Sequence, residues 1–411
     1  MKSLIHTYKQ MTSLSKTALL GIIISSLGTF MFMPYISIYL SDLGYSTAFI
    51  GYVLLLFSFS QQGFTFFGGF LGDRFGTKMI CMIGLVIRSL GYGLFIFSFN
   101  KPLIIFSTIL VGFGGALITP SLKVVLAFGN ESIRSAVFAL RNTAVNFGGA
   151  LGPLIGGMLY LLNIQIIFIF AAVSHLMVLI IMKKTMGVQL KEKTQASVSF
   201  TNVLNIFRDK QIVYLTFAVS LFYFLYMQFN LSIPLYTKDF LGQPEYVSLI
   251  FSFNGVLMIF LQYPIMVFFQ NKFKEYQVLM LGMFFMALAF TSLTLANELY
   301  MLMIFTFLLT LGEILIPPMI DNIASLLAPQ NLLGSYLGFV VFSFMIGGGL
   351  GSILGGYGYD WGVANGIHWL WFIYVSIAAL GIALIWPMKK MTKQTNVGEV
   401  YENSTVHKSE N

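Results

Sequence analysis

Five charged side chains stand inside long apolar runs of this sequence: Arg88, Lys123, Arg141, Glu313 and Asp321. In a membrane helix each costs about 2.5–3.5 kcal/mol near the centre on insertion scales. Charges that costly persist where they face water, one another or a ligand, so each is a candidate functional group. They are polarised, with three basic residues in the first half of the chain and two acidic ones in the second. Glu313 precedes Asp321 by two turns, on a helix interrupted by Pro317-Pro318. A carboxyl group deep in an apolar cavity can take up and release protons, so Glu313, with Asp321, is the expected proton-coupling pair. Lys123 and Asp321 each fall near one end of their helix and suit an ion pair that breaks and re-forms. Arg141 lies about two turns inside its helix and is expected, with Lys123, to face a cavity. Arg88 is expected to be a structural partner more than a ligand.

The polar and aromatic residues nearest these charges complete a candidate substrate cavity. They are Tyr35, Tyr39, Tyr226, Asn230 and Asn254, with Phe222, Tyr223, Gln228 and Gln262 close by in sequence. The chain has 22 Met and 42 Phe, and deformable aromatic walls suit varied amphipathic molecules. Other chemistry finds no footing. Cys81 is the only cysteine, so no internal disulfide is possible. His175 and His368 lack metal-ligand spacing, and no Gly-x-x-x-x-Gly-Lys phosphate loop is present. No nucleophile–base set points to an enzyme. No metal and no cofactor are expected, and a proton gradient is the expected energy source.

The elements that position these groups follow from composition. The 411 residues are 57% hydrophobic and 9% charged, against about 25% charged in soluble domains. Lipid must be the solvent for much of this surface. Twelve apolar runs are each near the ~20 residues a spanning helix needs. They lie at roughly 17–40, 47–71, 79–99, 102–128, 134–161, 164–182, 212–237, 246–270, 276–296, 299–327, 332–357 and 367–387. No cleavage site precedes the first, which reads as a retained span. An even number of spans puts both termini on one side. Eighteen of the 23 Lys and Arg then fall on that side, three lie inside spans, and only Lys101 and Lys238 remain opposite. This is the positive-inside pattern, so the termini are expected in the cytoplasm. The net charge of +8 marks orientation and calls for no nucleic-acid partner.

The polar interval at 183–211 divides the chain into a six-helix bundle, 1–182, and a second, 212–390, followed by an expected disordered cytoplasmic tail, 391–411. The halves repeat. Pro34 matches Pro234, Gly114 and Pro120 match Gly312 and Pro318, and the run Gly148-Gly149-Ala150-Leu151-Gly152-Pro153-Leu154-Ile155-Gly156-Gly157 returns as Gly347-Gly348-Gly349-Leu350-Gly351-Ser352-Ile353-Leu354-Gly355-Gly356. Under this repeat Lys123 corresponds to Asp321. The expected architecture is an all-α membrane protein of twelve transmembrane helices in two pseudo-symmetric six-helix bundles, with polar sites between them. Gly148, Gly152 and Gly156, spaced by four, form a groove for close helix packing. Pro153 is expected to bend the helix there.

The loop Gly69-Phe70-Leu71-Gly72-Asp73-Arg74-Phe75-Gly76-Thr77-Lys78 resembles the signature loop of the major facilitator superfamily. The glycine-proline helix resembles the motif of its drug:proton antiporter branch. Thr310-Leu311-Gly312-Glu313-Ile314 is similar to helix ten of multidrug exporters that carry a membrane-embedded glutamate. The resemblance implies a gate built from Gly69, Asp73, Arg74, Gly76, Lys78, Arg134, Gly148, Gly152, Pro153 and Gly156. Asp73 would contact the N-terminal pole of helix eleven and pair with Arg134. The sequence departs from the pattern in three places. Thr77 replaces a basic residue, Asn271-Lys272-Phe273-Lys274 lacks the aspartate, and the helix-four arginine expected near Leu110 is missing. No proton role of that arginine carries over.

Together these features imply a monomeric, proton-coupled exporter in a bacterial cytoplasmic membrane. Its expected substrates are small amphipathic, cationic drugs, moved by alternating access across the lipid bilayer. The basic first half keeps a second reading open: export of an anionic or zwitterionic metabolite, such as a carboxylate-rich metal chelator. A non-transporting receptor on the same fold is the third.

Overall fold

The computed structural model describes residues 7–97, 100–127, 134–185, 206–295, 298–329 and 333–389. The expected tail and most of the interval between the halves lie outside these. Twelve crossings are present. They are α1 (Ser13–Asp42), α2 (Thr47–Ser58 and Thr65–Phe75), α3 (Thr77–Phe95), α4 (Lys101–Ala127), α5 (Arg134–Leu162), α6 (Ile164–Thr185), α7 (Lys210–Asp239), α8 (Tyr246–Lys272), α9 (Glu275–Leu293), α10 (Leu299–Leu327), α11 (Leu333–Phe339 and Phe342–Asn365) and α12 (Ile367–Ile385). Eleven helices are long and apolar enough to cross a membrane unaided. The remaining crossing, α2, is interrupted by a π-helical turn at Phe59–Gly63. Outward faces carry Leu90, Phe106, Met177, Ile180, Phe217, Leu354 and Phe372, all exposed. Lipid is the solvent that tolerates such a belt.

The repeat is visible in the bends. α1 breaks at Pro34 into a 3₁₀ turn, Met33–Tyr35. α7 breaks at Leu231, three residues before Pro234. At the ends of these two helices the halves match again. Tyr160 donates to Asp42 at 3.4 Å, and Tyr359 donates to Asp239 at 3.1 Å.

The halves are joined along the side away from the termini, here the far side. Lys238 of α7 forms an ion pair with Asp42 of α1 at 2.7 Å and donates to Ser41 at 2.8 Å. Ser37 donates to the Asn230 carbonyl at 2.9 Å. Two helix pairs carry the rest of the seam. In α2 and α11, a Cβ on Gly51 would land on the Ser352 carbonyl, and one on Gly356 would land 2.5 Å from that of Thr47. In α5 and α8, Gly255 sits against Ala150 and Gly157 against Ser248. The α5–α8 seam reaches Asn146, which donates to Gln262 at 3.1 Å. Arg141 lies beyond that point, toward the termini.

Gly148, Gly152 and Gly156 turn to another partner. They seat α1 against α5, under Ser26, Phe30 and Met31. The cross-half approach is made by the residues between them. The Pro153 carbonyl accepts from Tyr35 at 3.3 Å. The matching helix α11 uses Gly347, Gly351 and Gly355 in the same way against Ser220, Phe224 and Gln228 of α7.

A Leu at Gly51 has no space at the Ser352 backbone. Overpacking of this kind costs about 1–3 kcal/mol. Gly51→Leu is therefore expected to pry the far side open. Spin labels on the far ends of α2 and α11 should show a larger population at long separation. An unchanged distance distribution contradicts the assignment of this pair to the seam.

Candidate functional site

On the side of the termini the halves face each other across charged and polar groups. Glu313 lies partly buried on α10, and the break expected at Pro317-Pro318 is not there: the helix runs on through both prolines. Asn254 of α8 donates to its Oε2 at 2.8 Å and to Thr310 at 3.0 Å. Tyr226 of α7 lies beside the same carboxylate. Three helices thus converge on one carboxyl group. The ring of Tyr226 stacks beside Phe222 with centroids 5.9 Å apart. Tyr223, one turn away, packs edge-on against Phe344 of α11 and lies within electrostatic reach of both Glu313 and Asp321.

Lys123 of α4 lies within electrostatic reach of Arg141 and of Asp321. Lys123 and Asp321 are exposed. The expected ion pair between them is not closed, since Lys238–Asp42 is the one ion pair among the described residues. The physical reason is the shape of the seam. It closes the far side and leaves the ends of α4 and α10 apart. Arg141 donates to Asn142 at 2.9 Å and lines a cavity in the first half.

Other expected site residues fall elsewhere. Tyr35 is fully buried, stacked on Tyr160 at 5.3 Å, and belongs to the closed far side. Tyr39 packs on Phe168 of α6 and donates to the Phe95 carbonyl at 3.5 Å, so it fills the core of the first half and not the cavity. Asn230 serves the seam through its carbonyl. Gln228 is a buried hub: it donates to the Gly351 carbonyl at 2.8 Å and accepts from Ser232 and Tyr374. All these aromatics and amides have helical spacing in sequence, and spacing alone does not say which face meets the cavity.

Of the expected gate, Gly76 makes the turn between α2 and α3 with φ of 92°, a conformation that favours glycine. Gly69 packs 3.9 Å from Pro120 in the sense of an added Cβ, Arg74 is exposed beside Phe75, and Lys78 opens α3. The side chains of Asp73 and Arg134 lie outside the described residues. Sequence reasoning missed three features: the Lys238–Asp42 bond, the Tyr160–Asp42 and Tyr359–Asp239 pair, and the environment of Arg88. The first two had a signal, since tyrosines and carboxylates recur at nearly the repeat offset. Arg88 was expected to have a structural partner, yet its Nε and Nη2 have none among the described residues.

The sequence profile of the Major Facilitator Superfamily matches residues 18–267 and again 238–404. Similar curated proteins include the multidrug resistance protein MdtH of Photorhabdus laumondii, 28% identical over 382 residues, covering 90% of this chain and 92% of that protein. MdtH of Shigella sonnei is 29% identical over 342 residues, covering 82% and 84%. Among solved structures, the nucleoside transporter NupG superposes with a TM-score of 0.77 at 14% identity, over 90% of this chain and 99% of that one. A POT family transporter in complex with 5-aminolevulinic acid gives 0.75 at 13% identity, over 93% and 96%. At such identity the structures speak for the fold alone. With its profile matched along nearly the whole chain, on a twelve-crossing helical fold, this multi-pass membrane protein belongs to the Major Facilitator Superfamily and is a transporter, not an enzyme.

Proposed function

We propose that this chain is a proton-coupled multidrug exporter of a bacterial cytoplasmic membrane, moving amphipathic, cationic molecules outward by alternating access. The observation that carries the reading is Glu313. It is a carboxyl group in the wall of the second half, held by Asn254 and beside Tyr226, on the side where the halves are apart. The likeness to proteins named for multidrug resistance supports the substrate class.

The positive-inside pattern supports cytoplasmic termini. In that orientation the structure is closed to the outside and open to the cell interior, ready to load an exported molecule. A cation entering the cleft would be drawn to the ionised Glu313, and protonation of Glu313 from outside would release it. Asp321, nearer the cytoplasm, would exchange solvent for Lys123 as the cleft closes. The far-side seam would then open, with Lys238 leaving Asp42. Each chain holds both halves of this pathway, so the working unit of the proposal is the monomer.

Glu313→Gln keeps the hydrogen-bonding shape and removes the titratable group. In proteoliposomes under a pH gradient, efflux of a cationic dye should fall to the leak of protein-free vesicles, while equilibrium dye binding weakens, stays measurable and loses its dependence on pH. Undiminished gradient-driven efflux excludes Glu313 as the carrier.

The loop between α2 and α3 supplies the opposing latch in this reading. A carboxylate near a helix N-terminal pole contributes about 0.3–1 kcal/mol. Asp73→Asn should therefore shift spin-label distances across the cytoplasmic ends toward the longer, open population. An unmoved distribution removes the latch and leaves the carrier assignment standing.

A further inference from the structure

Arg88 is 4% exposed, and no hydrogen bond reaches its Nε or Nη2 among the described residues. Its guanidinium lies over the Tyr92 ring at 5.9 Å and within electrostatic reach of the buried His175. No carboxylate among the described residues balances it. The acidic residues of the first half are Asp42, Asp73 and Glu131. Arg88, Lys123 and Arg141 thus share the membrane interior of that half with no counter-charge of its own.

α3 is an outer helix, yet Arg88 reaches the inner wall. It does so across a glycine window in α4. A Cβ on Gly114 would sit 2.6 Å from the Arg88 Cβ. One on Gly115 would sit 2.8 Å from Nη1 and 3.2 Å from Gln61 Oε1. Gln61 belongs to the π-helical turn that interrupts α2, and its Oε1 is also buried and has no hydrogen-bond partner among the described residues. Irregular turns of this kind redirect side chains and are frequent at functional sites. An amide there can present an oxygen or an N–H₂ group. With Arg141, Ser25 and Thr29 these groups line a cavity of about 290 Å³. That is at the lower end of the 300–1,000 Å³ typical of whole-ligand sites, and fits one polar end of a larger molecule. Arg141 faces both this cavity and the cleft toward Lys123.

We infer that the Arg88–Gln61–Arg141 cavity is a subsite for a substrate carboxylate, so that this transporter takes zwitterionic amphipaths with the cationic part against Glu313 and the acid against Arg88. A guanidinium offers a carboxylate two parallel charge-assisted hydrogen bonds. The inference rests on the transport reading above and deepens it by adding a second charge to the substrate.

The test uses the purified full-length chain in lipid nanodiscs and a matched pair of xanthene dyes. One is a cationic rhodamine methyl ester and the other its zwitterionic free acid. Fluorescence anisotropy reads equilibrium binding. Arg88→Gln should weaken the free acid about tenfold, or about 1.4 kcal/mol, with little effect on the ester. Gly115→Ala retains every charge and pushes aside only the far end of a flexible side chain, so it tests the cavity if the first variant does not fold. It should give the same selective loss. Arg88→Lys, which keeps the charge and loses the fork, should fall between. Equal losses for both dyes, or none, overturn the subsite. Efflux of the ester by the wild-type chain is scored separately. Its absence removes the transport reading, whereas ester efflux with unaltered acid binding in both variants removes the subsite alone.

Discussion

The structure depends on close approach of helix backbones in lipid. Between helices in a bilayer there is no hydrophobic effect to drive association, so packing of small residues takes its place. Gly51 against Ser352, Gly356 against Thr47 and Gly255 against Ala150 bring the two halves into contact along one side only. Within each half the same device holds the first helix to the fifth, through Gly148, Gly152 and Gly156 in one copy and Gly347, Gly351 and Gly355 in the other. Packing inside a half is thus of the same kind as packing between halves. The seam differs in what surrounds it. It is topped by the Lys238–Asp42 bond, where both side chains are partly exposed, and such a bond contributes only about 0–1 kcal/mol. A seam fastened by contacts and one weak ion pair can open without unfolding either half.

The charges are arranged around that joint. Basic groups sit in the first half and acidic groups in the second, and both lie on the open side of the seam. Closing the cleft would bring them together. Opening it leaves each needing a partner from water, a proton or a ligand. Glu313 has two polar neighbours that fix its orientation, whereas Arg88 has an aromatic face and an empty donor edge. That difference separates a group suited to exchanging protons from one suited to holding an anion.

Much of this fold was legible in the sequence because membrane helices announce themselves. Length, apolar runs and the glycine repeat located the crossings, and most observed ends fall within a few residues of expectation. α11 runs on to Asn365 because its last turns are held by α12 packing, which no local signal encodes. The break in α2 was invisible, since a π turn has no composition of its own. At the site, the embedded charges were legible because each is an exception to its surroundings. The polar neighbours were not. Tyr39, Asn230 and Gln228 look from sequence like Tyr226 and Asn254, but their helix faces turn to the core, the seam and the α11 backbone. Arg88 looked peripheral because α3 is an outer helix. The glycines that let it through are on another helix, at a register the sequence does not reveal.

The central claim is that the far-side seam must open in every transport cycle. Replacing Asp42 and Lys238 with cysteine lets a reducible bis-methanethiosulfonate reagent bridge it, and the sole native cysteine, Cys81, is buried. Efflux from proteoliposomes should be measured after cross-linking and again after reduction. The account predicts that cross-linking abolishes gradient-driven efflux and reduction restores it. Efflux that continues with the cysteine pair fully cross-linked would contradict it.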